Sequence, residues 1–157
     1  MFEFIIHGFC PTAWKEISRN RRYAFDDDVD MPTVEVETNS EMGSRDILWV
    51  HFFGSSQKHN GAAGGIKIFF LDTPEFGLDW CGLRRAFPTA LPDAVDKVWQ
   101  ISKTPGHMRV LVNGKEVLNI ESEGICRLSH SPEIWNLPVS AVMIHSDDTA
   151  SDRYRFF

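Results

Sequence analysis

Apolar residues along this chain recur in short β-prone runs separated by turn residues, with little sign of helical spacing. Residues 2–9 (FEFIIHGF) form the first run, and Thr33–Thr38 (TVEVET) alternates Val34 and Val36 with Glu35 and Glu37. Residues 46–53 (DILWVHFF) and 65–71 (GIKIFFL) are the most hydrophobic runs. Residues 97–103 (KVWQISK) place Val98, Gln100 and Ser102 on one face and Trp99 and Ile101 on the other. Two apolar-rich runs then flank Asn113-Gly114 in MRVLVNGKEVLNI, residues 108–120. Asn-Gly at such a junction predicts a two-residue hairpin, because a type I′ turn needs φ > 0 at both central positions. Further runs at 124–128, 139–145 (VSAVMIH) and 153–157 complete the series. The total is roughly ten strands at intervals of about 8–15 residues, the spacing of an all-β sandwich or barrel.

Two helical turns are expected at 12–20 (TAWKEISRN), with Thr12 as N-cap, and a short turn at 83–86. Prolines at 74, 88, 92, 105, 132 and 138 punctuate the connections and fit poorly inside helices. Residues 55–65 (SSQKHNGAAGG) read as a glycine-rich loop. No repeat or linker divides the chain. The expected architecture is one domain, 1–157: an all-β, two-sheet antiparallel sandwich of jelly-roll type.

At 157 residues the chain is long enough for a sizeable core without staples. A net charge of −6 argues against nucleic acid, whose phosphates need a basic footprint. The one basic cluster, Arg19 to Arg22, runs into Asp26-Asp27-Asp28 and is expected to be a solvated loop. No apolar run reaches the ~20 residues of a membrane-spanning helix. The N-terminal MFEFIIHGFC lacks the basic and long apolar regions of a signal peptide, so either the protein is intracellular or a signal was removed before Met1. Cys10, Cys81 and Cys126 are an odd number, three buried thiols or one disulfide with a free thiol, and the compartment stays open.

The segment 97–120, KVWQISKTPGHMRVLVNGKEVLNI, resembles the hairpins of lectin-like sandwiches of the galectin and concanavalin kind. It resembles still more the domain of invertebrate extracellular proteins named after farnesoic acid methyltransferase, where a W-x-I-x-K-T strand precedes an Asn-Gly hairpin. The closing SDDTASDRY, residues 146–154, is similar to that domain's last segment. The resemblance spans about 60 residues and implies a sandwich fold and a binding role. It transfers no site residue. The His-x-Asn-x-Arg strand with which galectins read galactose is absent, since His51 is followed by Phe52-Phe53-Gly54, and no Trp-Gly pair exists. No glycine-rich strand-to-helix loop suits an adenosyl cofactor either.

Sugar recognition on a sandwich needs an exposed aromatic ring beside amide, acid or guanidinium groups. Trp49 and Trp99 sit within strand patterns and are expected in the core, whereas Trp14, Trp80 and Trp135 fall in loops or at strand ends. Trp80, with Asp79 before it and Arg84 and Arg85 after it, is the foremost candidate. Trp135 with Asn136 is the second, and His51 is a cleft candidate on the strand face of Trp49. Asp26, Asp28 and Asp30 could supply carboxylates to Ca²⁺ from an acidic loop, although without EF-hand spacing. Asp147, Asp148 and Asp152 make a weaker acidic run. No zinc motif or nucleophile elbow appears. Cys10 with His7 or His130 has no local support as a catalytic pair, and Glu35 with Glu37 is expected on a solvent face. The expected function is therefore glycan binding, calcium-assisted or not, by a lectin-like protein that could form a homo-oligomer. The alternatives are a structural or protein–protein module, or a sandwich enzyme or binder of an apolar small molecule.

Overall fold

The computed structural model describes residues 14–16, 21–29, 31–38, 47–54, 62–78, 83–94, 96–104, 107–121, 139–146 and 153–156. These form two six-stranded sheets whose paired strands all run antiparallel, and the described residues contain no helix. The strands in chain order are β1 (Lys15–Glu16), β2 (Arg21–Val29), β3 (Thr33–Thr38), β4 (Ile47–Gly54), β5 (Ala62–Phe69) and β6 (Glu75–Leu78). They continue as β7 (Leu83–Ala86), β8 (Lys97–Thr104), β9 (His107–Val112), β10 (Lys115–Glu121), β11 (Val139–Ser146) and β12 (Arg153–Phe156). The first sheet has the order β1-β12-β3-β8-β9-β10 and the second β2-β11-β4-β5-β6-β7. The chain meanders through four strands of the second sheet, β4 to β7, and then through three of the first, β8 to β10. At both ends it alternates between the sheets.

Strand periodicity sets the core. Val34 and Val36, Leu48, Val50 and Phe52, and Ile66 and Ile68 alternate inward and are fully buried between the sheets. Two aromatic clusters lie among them. Tyr23 and Phe25 of β2 meet Tyr154 and Phe156 of β12, with centroids 4.6 Å apart for the two tyrosines and 5.7 Å for Phe25 and Phe156. The other gathers Phe70, Phe76 and Phe87 around Trp99, whose indole Nε1 donates to Thr38 Oγ1 at 2.9 Å. That bond satisfies the one polar group of a fully buried ring. Lys103 also lies on this inward face with no exposure, and burial pushes its ammonium pKa down from 10.5 to about 8.

The hairpin has the geometry expected of Asn-Gly. Asn113 and Gly114 have φ of 49° and 82°, and Val112 stands opposite Lys115. Asn113 does more than turn the chain. Its side-chain oxygen accepts from the amide of Val98 at 2.8 Å, and its amide group donates to the carbonyl of Asp96 at 3.2 Å. The hairpin tip is thereby tied to the start of β8.

Several expectations give way. The segment 12–20 does not supply a described helix, because Lys15 and Glu16 pair as strand with Tyr154 and Arg153. The turn expected at 83–86 is the edge strand β7, paired along its whole length with β6. Residues 62–65, read as loop, belong to β5, and Gly64 and Gly65 stand opposite Phe52 and His51. The Arg21-Arg22 patch and Asp26-Asp27-Asp28 lie within β2, not in loops. β2 is irregular there: Ala24 and Val29 stand opposite Ala141 and Val139, so residues 25–28 face a single position of β11. Glu35, expected in solvent, is 3% exposed. The runs at 2–9 and 124–128 lie outside the described residues.

Candidate functional site

The outer face of the second sheet carries the candidate site, and cross-strand register assembles it. Residues opposite one another in a sheet point to the same side. Since Leu48, Val50, Phe52, Ile66, Ile68, Phe76 and Leu78 point inward, their sequence neighbours form the outer face. One row runs His145–Trp49–Lys67–Gly77–Arg84 across β11, β4, β5, β6 and β7. It spans four inter-strand gaps, about 19 Å. On one side of it runs the row Met143–His51–Gly65, and on the other Ile47–Phe69–Glu75–Ala86.

Rings and charges interleave on this face. Trp49, His51 and Phe53 stack along β4, with centroids 5.5 Å apart for the first two and 4.6 Å for the second two. All three are partly exposed. The Lys67 ammonium lies 4.4 Å over the Trp49 ring, and the Arg84 guanidinium carbon lies 3.9 Å over Phe69. Arg84 Nε also donates to Glu75 Oε1 at 2.6 Å, an ion pair whose side chains are 48% and 31% exposed. Gly77 stands between Lys67 and Arg84 in the same row and contributes no side chain there.

The outer face of the first sheet is a polar ladder. Glu35 accepts from Gln100 Nε2 at 2.6 Å and pairs with Arg155 Nε, whose guanidinium carbon lies 4.3 Å over the Trp14 ring. Thr33 and Ser102 share a hydroxyl hydrogen bond of 2.9 Å. Farther out, Arg109 Nε donates to Glu116 at 2.5 Å, and His107 bonds Asn119. The Arg109 and Asn119 donors hold the Glu116 carboxyl below the usual range. These donors and acceptors are turned on each other.

Of the residues expected at a site, His51 and Arg84 share the outer face of the second sheet, three strands and one row apart, about 16 Å. Arg85 is exposed on the same edge strand but occupies the row of Phe76. Asp79, Trp80, Trp135, Asn136 and Asp30 lie outside the described residues. Asp26 and Asp28 lie in β2, the edge of the sheet opposite β7. Among the described residues no group of three or more histidine, cysteine, aspartate or glutamate side chains could hold a metal ion.

Trp49 belongs to this face and not to the core, a correction with a simple cause. Trp49 and Phe53 suit a core as well as Leu48, Val50 and Phe52 do, so composition alone does not choose which alternate set turns inward. Lys67, Phe69 and Glu75 went unsuspected. Lys67 and Phe69 were legible in the alternation of GIKIFF, which puts them opposite Ile66 and Ile68. The short EFGL strand carrying Glu75 gave no such signal.

No family model and no curated protein matches this chain. Solved structures do. Sheep galectin-11 in complex with glycerol is 14% identical over 88% of this chain and 98% of its own, with a TM-score of 0.48. A sialidase is 9% identical over 91% of this chain but only 14% of its own, with a TM-score of 0.50. The Caenorhabditis elegans galectin LEC-6 is 9% identical over 90% of this chain and 94% of its own, with a TM-score of 0.46. At these identities the likeness is one of fold alone, a two-sheet β-sandwich.

Proposed function

We propose that the protein binds glycans on the outer face of its second sheet. The observation that carries this reading is the row His145–Trp49–Lys67–Gly77–Arg84 with its neighbours, where partly exposed rings lie beside a lysine, an arginine and a glutamate. A sugar offers an apolar C–H face and a fringe of hydroxyls. Partly exposed rings bury the first, and fixed charged groups hydrogen-bond the second. The Arg84–Glu75 pair resting on Phe69 is held before any ligand arrives, which lowers the ordering cost of binding.

Calcium belongs to the proposal only as an assisting ion bound through Asp26, Asp28 and Asp30. A glycan array probed with and without EDTA tests both parts. Binding in the two conditions supports an ion-independent site on β4–β7, and binding lost with EDTA supports the calcium-assisted form. No bound glycan in either condition removes the reading. Trp49→Ala, which takes the central ring from the row, is expected to weaken binding at least about tenfold.

A further inference from the structure

We propose that the preferred glycan carries a carboxylate, as a sialic or uronic acid residue does, and that Arg84 receives it. The inference rests on the glycan-binding reading and concerns the chemistry of the same site. Three observations fix one end of the guanidinium and leave the other for a ligand. Nε is bonded to Glu75 Oε1 at 2.6 Å, the plane rests 3.9 Å above Phe69, and the side chain is 48% exposed. The two terminal nitrogens remain, and they present the parallel N–H fork that matches a carboxylate bidentately. Glu75 and Phe69 hold that fork still, so little side-chain entropy is lost on binding.

The surroundings agree in sign. Lys67 stands in the same row as Arg84, two strands inward and about 10 Å away at the backbone. Between them Gly77 adds no side chain to block a ligand group lying across the row. Among the described outer-face residues of β4–β7, Lys67 and Arg84 are the cations and Glu75 the one carboxylate, on a chain of net charge −6. A long polyanion would be repelled by the rest of the molecule, whereas a single acidic sugar meets only the local field. The contrast with Arg109 is instructive. Arg109 also donates Nε to a glutamate, Glu116, at 2.5 Å, but no ring among the described residues braces it, and it lies on the other sheet's outer face.

The test is titration of the intact chain with sialyllactose, a glucuronate-terminated disaccharide and lactose, at low and at high salt. The acidic sugars are expected to bind at least about tenfold more tightly than lactose at low salt, with the margin shrinking as salt rises. Arg84→Gln should remove that margin. Arg84→Lys, which keeps the charge and loses the fork, should retain only part of it, and Arg109→Gln should leave it intact. Binding of sialyllactose but not of the uronate, or the reverse, assigns the source of the carboxylate. If lactose binds as well as the acidic sugars, or Arg84→Gln weakens all three equally, the carboxylate preference is overturned and glycan binding stands. If the array and all three sugars give no binding, both fall together.

Discussion

On the outside of the first sheet, Glu35 is 3% exposed and lies between Gln100 and Arg155, and its neighbours Thr33 and Ser102 bond each other. On the outside of the second, Trp49, His51 and Phe53 stay partly exposed in a line, with Lys67 and Arg84 seated over rings. Both faces carry charge and both carry an arginine over an aromatic ring. They differ in what the polar groups are aimed at. In the first sheet donors and acceptors close on one another across β12, β3 and β8, so removing one loosens the link between strands. In the second, Arg84 spends one nitrogen internally and has two terminal nitrogens at its exposed end. The first arrangement holds strands together, and the second can hold something else.

That contrast makes mutations on the two faces separable. The largest stability effect is expected from Glu35→Ala, which leaves Arg155 partly buried beside an uncharged neighbour. The loss should be about 3 kcal/mol in urea unfolding, with glycan binding by the folded fraction unchanged. A comparable loss of binding from Glu35→Ala would erase the distinction between the faces.

Lys103 gives the next effect, through pH. Its folded pKa, about 8, lies below the ordinary 10.5, so the folded protein binds fewer protons than the unfolded chain between those values. Stability should therefore rise as pH increases from about 8 to about 10.5, by a few kcal/mol at most, since each unit of the shift is worth about 1.4 kcal/mol. Denaturant midpoints measured across that window should climb in the native protein and lose most of the climb in Lys103→Met.

Asn113→Ala removes two side-chain bonds and places a β-carbon-bearing, non-amide residue at φ of 49°. A cost of about 1–2 kcal/mol is expected, again read from unfolding, with no change at the glycan face. The smallest effect belongs to the exposed Arg109–Glu116 pair. The Glu116 carboxyl titrates below its ordinary range, so any contribution is present above that range and fades as pH falls through the lowered value. Glu116→Gln should leave the midpoint at neutral pH unmoved within error, because exposed pairs are screened by solvent.

The fold was largely legible because period-two alternation carries it. TVEVET and KVWQISK name their inward residues outright, and Asn113-Gly114 names its own turn. Strands were missed where that signal is weak. RRYAFDDDV buries only Tyr23 and Phe25 among the side chains described, and its charge made it look like loop. EFGL and LRRA are four residues each, too short for alternation to show, and their membership in the sheet comes from pairing with β5 and with each other. The outer-face site was legible only in fragments. Arg84 and His51 were singled out from their own surroundings, but the row that joins Trp49, Lys67 and Arg84 is a product of register across four strands. Glu35 shows the opposite limit. Alternation placed it correctly opposite Val34 and Val36, yet its burial comes from Arg155 and Gln100, residues 120 and 65 positions away in sequence.

The central claim, that the second sheet's outer face receives the ligand, is tested most directly by mapping backbone amide resonances during titration with sialyllactose. Shifts concentrated in β4 to β7, with β8 to β10 silent, are the expected result. Shifts confined to β3, β8 and β9, around Glu35 and Gln100, would contradict it and move the site to the other face.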